Sequence, residues 1–195
     1  MLFIFDMGGV VTNTAFYIND ICENLNISEE NFYDYIKNKK DTENDLFSML
    51  TTGKISTNEF WKEFQKKSQK VIETDYFYAM FHPVVNEDVK NIILDLKRKN
   101  RVVCGTNTIE SHYLNHMQNG DYSIFNQTYA SNKMGVKKPD IKFWEIILKA
   151  EKSVASNTFF IDDKKENCEA ANKIGIKTFN YKNSEELYQE IKEWI

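Results

Sequence analysis

Four places in the chain carry side chains that could do chemistry together: Asp6, the Thr106-Asn107 pair, Lys138, and the Asp162-Asp163 pair. Asp6 directly follows the apolar run Leu2-Phe3-Ile4-Phe5, Thr106 and Asn107 follow Val102 to Gly105, and the two acids follow Phe159 to Ile161. One aspartate after one apolar run is most simply a loop cap. Three runs that all end in oxygen-bearing side chains argue for more, because an open α/β sheet binds its ligands just beyond the carboxyl ends of its strands. Lys138 precedes Pro139; the proline disfavours helix at Lys138 and suits the first position of a helix that follows. A lysine at a helix entrance, beside three acids and a threonine, reads as an anion-binding group rather than as one more surface lysine.

The elements that must position these groups can be read from hydropathy. The three runs above lack polar alternation and are rich in aromatic and β-branched residues, which suits strands buried on both faces of a parallel sheet. A fourth run spans Ile176 to Phe179 and a weaker one lies around Gln127 to Ala130. Helical patterns separate them at residues 88–99, with Val89, Ile92, Ile93 and Leu96 on one face, and at 140–150, 166–174 and 185–194. Strand and helix in alternation predict an α/β class, a doubly wound parallel-sheet, Rossmann-like core.

Residues 14–81 break that alternation. They hold helical patterns at 14–25, 29–37, 44–50 and 57–67 and a short one near Tyr76, with no convincing strand. Ser56 and Glu59 have the spacing of a capping box, and Gly53 marks the turn before it. The expected organisation is a catalytic core of residues 1–13 and 83–195, with an all-helical cap, 14–82, inserted after the first strand.

Composition bounds the function classes. A chain of 195 residues, 42% hydrophobic and 28% charged, with two prolines and seven glycines, is an ordinary globular domain with room for one insertion. A net charge of -4 gives no nucleic-acid footprint and no polybasic membrane anchor. No stretch approaches the ~20 apolar residues of a membrane span. Cys22, Cys104 and Cys168 are odd in number and far apart, so they are expected to be free thiols in a reducing compartment. The first apolar run is too short for a signal-peptide core, and the expected location is the cytoplasm. His112 and His116 are four apart but have no third ligand at zinc spacing.

Phe5-Asp6-Met7-Gly8-Gly9-Val10-Val11, Thr106-Asn107, Lys138-Pro139, and Phe160-Ile161-Asp162-Asp163 with Asn167 resemble, in order and spacing, the four motifs of the haloacid dehalogenase-like superfamily. Within it the chain is similar to the subgroup of bacterial α-D-glucose-1-phosphate phosphatases and the N-terminal phosphatase domain of soluble epoxide hydrolase. The resemblance implies that Asp6 is a nucleophile forming an aspartyl-phosphate, which splits one hard transfer into two easier ones. It implies that Thr106 and Asn107 donate to the phosphate, beside the backbone of Met7 and Gly8, and that Lys138 supplies fixed positive charge. Asp6, the Gly8 carbonyl, Asp162 and Asp163 would hold Mg²⁺, Asp162 directly and Asp163 through water. Several carboxylates around a phosphate dianion need a cation for charge balance in any case. The implied partner is a small phosphorylated metabolite, most plausibly a sugar phosphate.

One position departs from the superfamily pattern. Most of its phosphatases carry a second Asp two residues after the nucleophile as general acid and base, and here that residue is Gly8. Loss of general acid catalysis typically costs ~10²–10⁴-fold. Two alternatives therefore stand beside the phosphatase: a 2-haloacid dehalogenase, which also uses an aspartate nucleophile, and a catalytically weak phosphate-binding protein.

Overall fold

The computed structural model describes residues 1–13, 18–37 and 45–195. Five parallel strands form the central sheet: β1 (Leu2–Phe5), β4 (Arg101–Thr106), β5 (Gln127–Ala130), β6 (Thr158–Asp162) and β7 (Lys177–Asn180), in the order β5-β4-β1-β6-β7. β1 is central because all four of its side chains are buried, which only a strand covered on both faces achieves. Alternate residues go to opposite faces. Phe3, Phe5, Val102, Cys104, Phe159 and Ile161 pack on one side with α6 (Glu87–Leu96) and α11 (Ser184–Ile191). Leu2, Ile4, Val103 and Phe160 pack on the other with α9 (Lys142–Glu151) and α10 (Lys165–Lys173).

The remaining helices early in the chain have a core of their own. In α1 (Ile18–Leu25), α2 (Glu29–Ile36), α3 (Leu46–Thr51), α4 (Thr57–Ser68) and α5 (Tyr76–Ala79), residues such as Ile21, Phe32, Leu50, Phe60, Phe64 and Phe77 form one buried cluster. The capping box at Ser56 and Glu59 is made in both directions. Of the helical pattern read from residue 14 onward, 14–17 lie outside the described residues, as does the start of the pattern at 44–50.

Four elements were not legible in advance. β2 (Thr12–Asn13) and β3 (Val84–Val85) pair antiparallel at the neck between the helical layer and the sheet; two residues are too few to show a period. α7 (Glu110–Asn119) buries only Ser111 and His116, so it has no apolar stripe to read. The single turn α8 (Ser131–Met134) follows β5 directly. The helix expected from residue 140 begins at Lys142, so Pro139 sits in the preceding turn, after a cis Lys138-Pro139 bond, rather than at the first helical position.

The helical layer is seated on the sheet layer where α3 ends. Gly53 has φ +65°, and a Cβ there would lie 2.0 Å from the Asn132 carbonyl oxygen, so only glycine permits this approach. Beside it, the buried Ser131 hydroxyl donates to the Thr51 carbonyl (2.7 Å) and accepts from the Thr108 N–H (2.9 Å). The Lys137 ammonium donates to Ser48 Oγ at 2.9 Å. All three cysteines are buried free thiols. Among the described residues no helix is long and apolar enough to cross a membrane.

Candidate active site

In-register pairing puts the functional groups side by side. Phe5 is level with Cys104 on one neighbour and Ile161 on the other, so the next residues, Asp6, Gly105 and Asp162, share one edge of the sheet. The chain leaves β1 for β4 on one side and later returns to β6 on the other, which makes this edge the topological switch point where ligands bind. The Asp6 N–H still donates to the Ile161 carbonyl at 2.9 Å, which fixes its backbone to the sheet.

Lys138 reaches this edge from the loop before α9. Its buried ammonium donates to Asp6 Oδ1 (2.9 Å), Asp162 Oδ2 (2.7 Å) and the Gly105 carbonyl (2.9 Å), so all three of its N–H groups are engaged. Burial alone would push its pKa down; Asp6 and Asp162 outweigh that and raise it. Burial raises the Asp6 carboxyl to about 7, with Lys138 pulling down and Asp162 pushing up. Asp163 is likewise raised, by burial and then by Asp162.

The two neighbouring acids differ in what their oxygens touch. Asp162, wholly buried, spends Oδ2 on Lys138 and Oδ1 on the Lys164 N–H (2.8 Å), and Asn167 Nδ2 lies 3.0 Å from both oxygens. Asp163 keeps a buried Oδ1 that has no hydrogen-bond partner. Asn180 Nδ2 holds the backbone between them, donating to the carbonyls of Asp162 (3.2 Å) and Asp163 (2.8 Å). Asp6, Asp162 and Asp163 each offer an oxygen within 4.8 Å of the others. One lysine against three carboxylates leaves an excess of negative charge, and an orphaned buried oxygen is what a cation would satisfy. The donor set, carboxylates with backbone carbonyl and solvent, fits Mg²⁺.

The loop after β1 is held by its own backbone. The Met7 carbonyl accepts from the Val11 and Thr12 N–H groups, and the Gly9 N–H donates to the Thr12 carbonyl at 2.8 Å. The Met7 N–H turns back onto Asp6 Oδ1 at 2.7 Å. Gly9 is left-handed (φ +80°) and passes against Asp163, a Cβ there lying 2.6 Å from Asp163 Oδ2. Gly8 is outside the left-handed region.

Thr106, buried at the end of β4, makes one long bond, 3.4 Å to the Asn107 carbonyl. Asn107 is bonded within the protein. Its side-chain amide, read from the resemblance as a phosphate donor, is engaged with the Lys138 main chain: Oδ1 accepts the Lys138 N–H and Nδ2 donates to the Lys138 carbonyl, each at 2.8 Å. Asp162, expected as the direct metal ligand, accepts from Lys138, Lys164 and Asn167. Sequence reasoning also assigned no part to the Gly105 carbonyl, the Lys164 N–H or Asn180. Only Asn167, placed one helical turn into α10, had a signal, its spacing of five from Asp162. His112 stacks on Phe81 at 3.8 Å, and His116 Nδ1 bonds Asp121 at 2.7 Å.

Comparison with known proteins places this geometry. The profile of haloacid dehalogenase-like hydrolases matches residues 3–181. The chain is 31% identical over 86 residues to the sesquiterpene phosphatase astK of Aspergillus oryzae, a match covering 44% of this chain and only 40% of that protein. It is 24% identical over 157 residues to the D-ribitol-5-phosphate phosphatase of Bacteroides thetaiotaomicron, covering 75% and 76% of the two chains. A HAD family enzyme of B. thetaiotaomicron, solved in complex with magnesium and inorganic phosphate, has a TM-score of 0.77 at 23% identity, over 93% of each chain. With a profile that runs from β1 past β7 and a sheet edge built from the same four motifs, the chain belongs to the haloacid dehalogenase-like hydrolase family.

Proposed function

We propose that this protein is a Mg²⁺-dependent phosphatase of small phosphorylated polyols or sugars, working through an aspartyl-phosphate on Asp6. The observation that carries the reading is the Asp6 carboxylate, ion-paired to a buried lysine and within ligand distance of two further acids, one of which has an unpartnered oxygen. Lys138 and the Met7 N–H both engage Oδ1, which leaves Oδ2 to attack phosphorus. In the first step the Oδ2–P bond forms and the ester P–O bond breaks. In the second, water attacks phosphorus, the acyl P–O bond breaks, and inorganic phosphate leaves with Asp6 restored.

Thr106 donates its hydroxyl to the phosphoryl group, beside the Met7-Gly8 backbone. Lys138 offsets the charge on Asp6 and steadies it. Asp6, the Gly8 carbonyl and the Asp162-Asp163 pair would hold Mg²⁺, which would neutralise charge at the phosphoryl oxygens. Of the pair, Asp163 would be the direct ligand and Asp162 the support, the reverse of the order read from sequence, because of these two only Asp163 has an unpartnered oxygen. The α1–α5 layer, within residues 14–82, acts as the cap that selects the substrate. The substrate class follows the relative that covers most of the chain, whose name specifies ribitol 5-phosphate. A dehalogenase would have no use for the second acidic pair.

The test is a panel of sugar and polyol phosphates, ribitol 5-phosphate included, assayed for phosphate release with Mg²⁺, with chelator, and with Asp6→Asn as blank. Release that needs Mg²⁺ and vanishes in Asp6→Asn is expected. Release that survives chelation, or persists in the Asn variant, sinks the assignment. Asp163→Asn is expected to raise the Mg²⁺ requirement more than Asp162→Asn does, and the opposite order would restore the ranking read from sequence.

A further inference from the structure

We infer that Asn107 is a positioning residue that holds the Lys138 main chain so that its ammonium stands on Asp6, and that its side chain is not a ligand of the phosphate. The inference rests on the reading of Asp6 and Lys138 as the phosphoryl-transfer site. Lys138 lies between α8 and α9 in a turn closed by the Asp140 N–H on the Lys137 carbonyl (3.0 Å), where its own N–H and carbonyl have no ladder or helix partner. The following residue, Pro139, has no N–H to contribute. The Asn107 amide supplies the missing neighbour: it closes a ring of two hydrogen bonds on one residue, accepting the Lys138 N–H and donating to the Lys138 carbonyl, both at 2.8 Å and across 31 residues of chain.

The other end of Lys138 is held by the same strand. Its ammonium donates to the Gly105 carbonyl at 2.9 Å, two residues before Asn107 on the end of β4. Backbone and head group are thus both referenced to β4, and the side chain spans a fixed interval between them. Asp6 is referenced to the adjacent strand through β1. The ammonium-to-carboxylate distance of 2.9 Å is therefore set by sheet geometry, provided the Asn107 ring is intact. Without it, the Lys138 peptide loses both partners and the loop is held by the Asp140-to-Lys137 turn bond and the Lys137-Ser48 contact, and a misplacement near 1 Å at reacting groups can cost about 10²-fold in rate. One Nδ2 hydrogen remains after the ring is closed, so direct phosphate contact is the rival that the experiment must exclude.

The experiment is a double-mutant cycle of Asn107→Ala and Lys138→Met, read as kcat, KM and the inhibition constant of inorganic phosphate with Mg²⁺, all per folded site by orthovanadate titration. On the positioning account Asn107→Ala lowers kcat by about 10- to 100-fold, leaves phosphate inhibition within about threefold, and adds nothing once Lys138 is Met. Weakening of phosphate inhibition by about tenfold or more, persisting in the Lys138→Met background, would make Asn107 a phosphate ligand and overturn the inference. A lowered melting temperature with kcat per folded site unchanged overturns it too, leaving a structural role alone. Should Asn107→Ala not fold, Asn107→Ser, which also lacks the paired amide and adds no charge, enters the same cycle under the same criteria. Should Lys138→Met lack measurable turnover, the phosphate inhibition constant is replaced by calorimetric phosphate affinity, with the same pattern required. A wild type that hydrolyses nothing in the panel fails the phosphatase reading and this inference with it, whereas an active wild type with additive variants fails only this inference.

Discussion

Asp6→Asn should stabilise the metal-free protein, although it is expected to abolish turnover. Burial raises the Asp6 carboxyl from its ordinary 3.8 to about 7 even with Lys138 beside it. In the unfolded chain that carboxyl ionises near 3.8, so below that pH it is protonated in both states and has no effect. Between 3.8 and about 7 the unfolded chain has released a proton that the fold retains, and stability falls as pH rises. Above about 7 the loss is complete. A span of roughly three pH units at 1.36 kcal/mol each gives about 4 kcal/mol. The asparagine avoids this cost, and Lys138 remains paired one-to-one with Asp162 and bonded to the Gly105 carbonyl.

The assay is urea unfolding of both proteins in EDTA from pH 4 to 8. The difference in unfolding free energy should grow through the interval and level off above pH 7, reaching about 4 kcal/mol, or roughly 8–16 °C in Tm for a chain of this size. Added Mg²⁺ should then recover much of the deficit in the wild type, about 2.7 kcal/mol at a hundredfold excess over Kd, and little in the variant. A difference that does not change with pH would refute the account of Asp6 as a carboxylate destabilised by burial.

Four further outcomes follow from particular contacts. Gly53→Ala places a Cβ 2.0 Å from the Asn132 carbonyl at a left-handed φ, so it should cost about 2 kcal/mol or more in denaturant unfolding; unchanged stability would remove the seam between the helical layer and α8. Gly9→Ala must displace Asp163, whose Oδ2 would lie 2.6 Å from the new Cβ, and should raise the Mg²⁺ concentration for half-maximal activity about tenfold or more; an unchanged requirement would take Asp163 out of the metal site. Ser131→Ala deprives the Thr108 N–H of its acceptor and should cost about 1–3 kcal/mol by the same unfolding assay, and a loss under half of that would mean the hydroxyl is dispensable. With Gly8 at the usual position of the acid, single-turnover rates should depend steeply on leaving-group acidity, aryl and anomeric phosphates outrunning primary alkyl ones. Gly8→Asp, at a position outside the left-handed region, should flatten that series; a flat wild-type series would show that another group gives the proton.

How much was legible in the sequence depended on the range of the interaction. Leu2–Phe5, Thr158–Asp162 and the helices around Val89, Ile147 and Leu187 announced themselves by local hydropathy, because burial on two faces or on one stripe leaves a period in neighbouring residues. Once the strands were placed, Asp6, Thr106 and Asp162 had to fall on one edge of the sheet, since parallel strands share their carboxyl ends. The order of motifs along the chain then pointed to the family. Two-residue β2 and β3 left no such period, and α7 buries a serine and a histidine where a stripe would be.

Tertiary structure alone decided which polar atoms are committed and which are spare. Asn107 and Lys138 are 31 residues apart, Lys138 and Asp162 are 24 apart, and Thr51 and Ser131 are 80 apart. Hydrogen bonds over such separations leave no periodic trace, and an amide or a carboxylate looks the same in sequence whether it faces a ligand or the chain. Thus the residue types at the strand ends were enough to read that edge as a candidate site for an anion and a cation. That Asp163 rather than Asp162 has an oxygen to offer, and that the Asn107 amide is spent on Lys138, followed only from the folded chain, where each buried donor and acceptor must find a partner within about 3 Å.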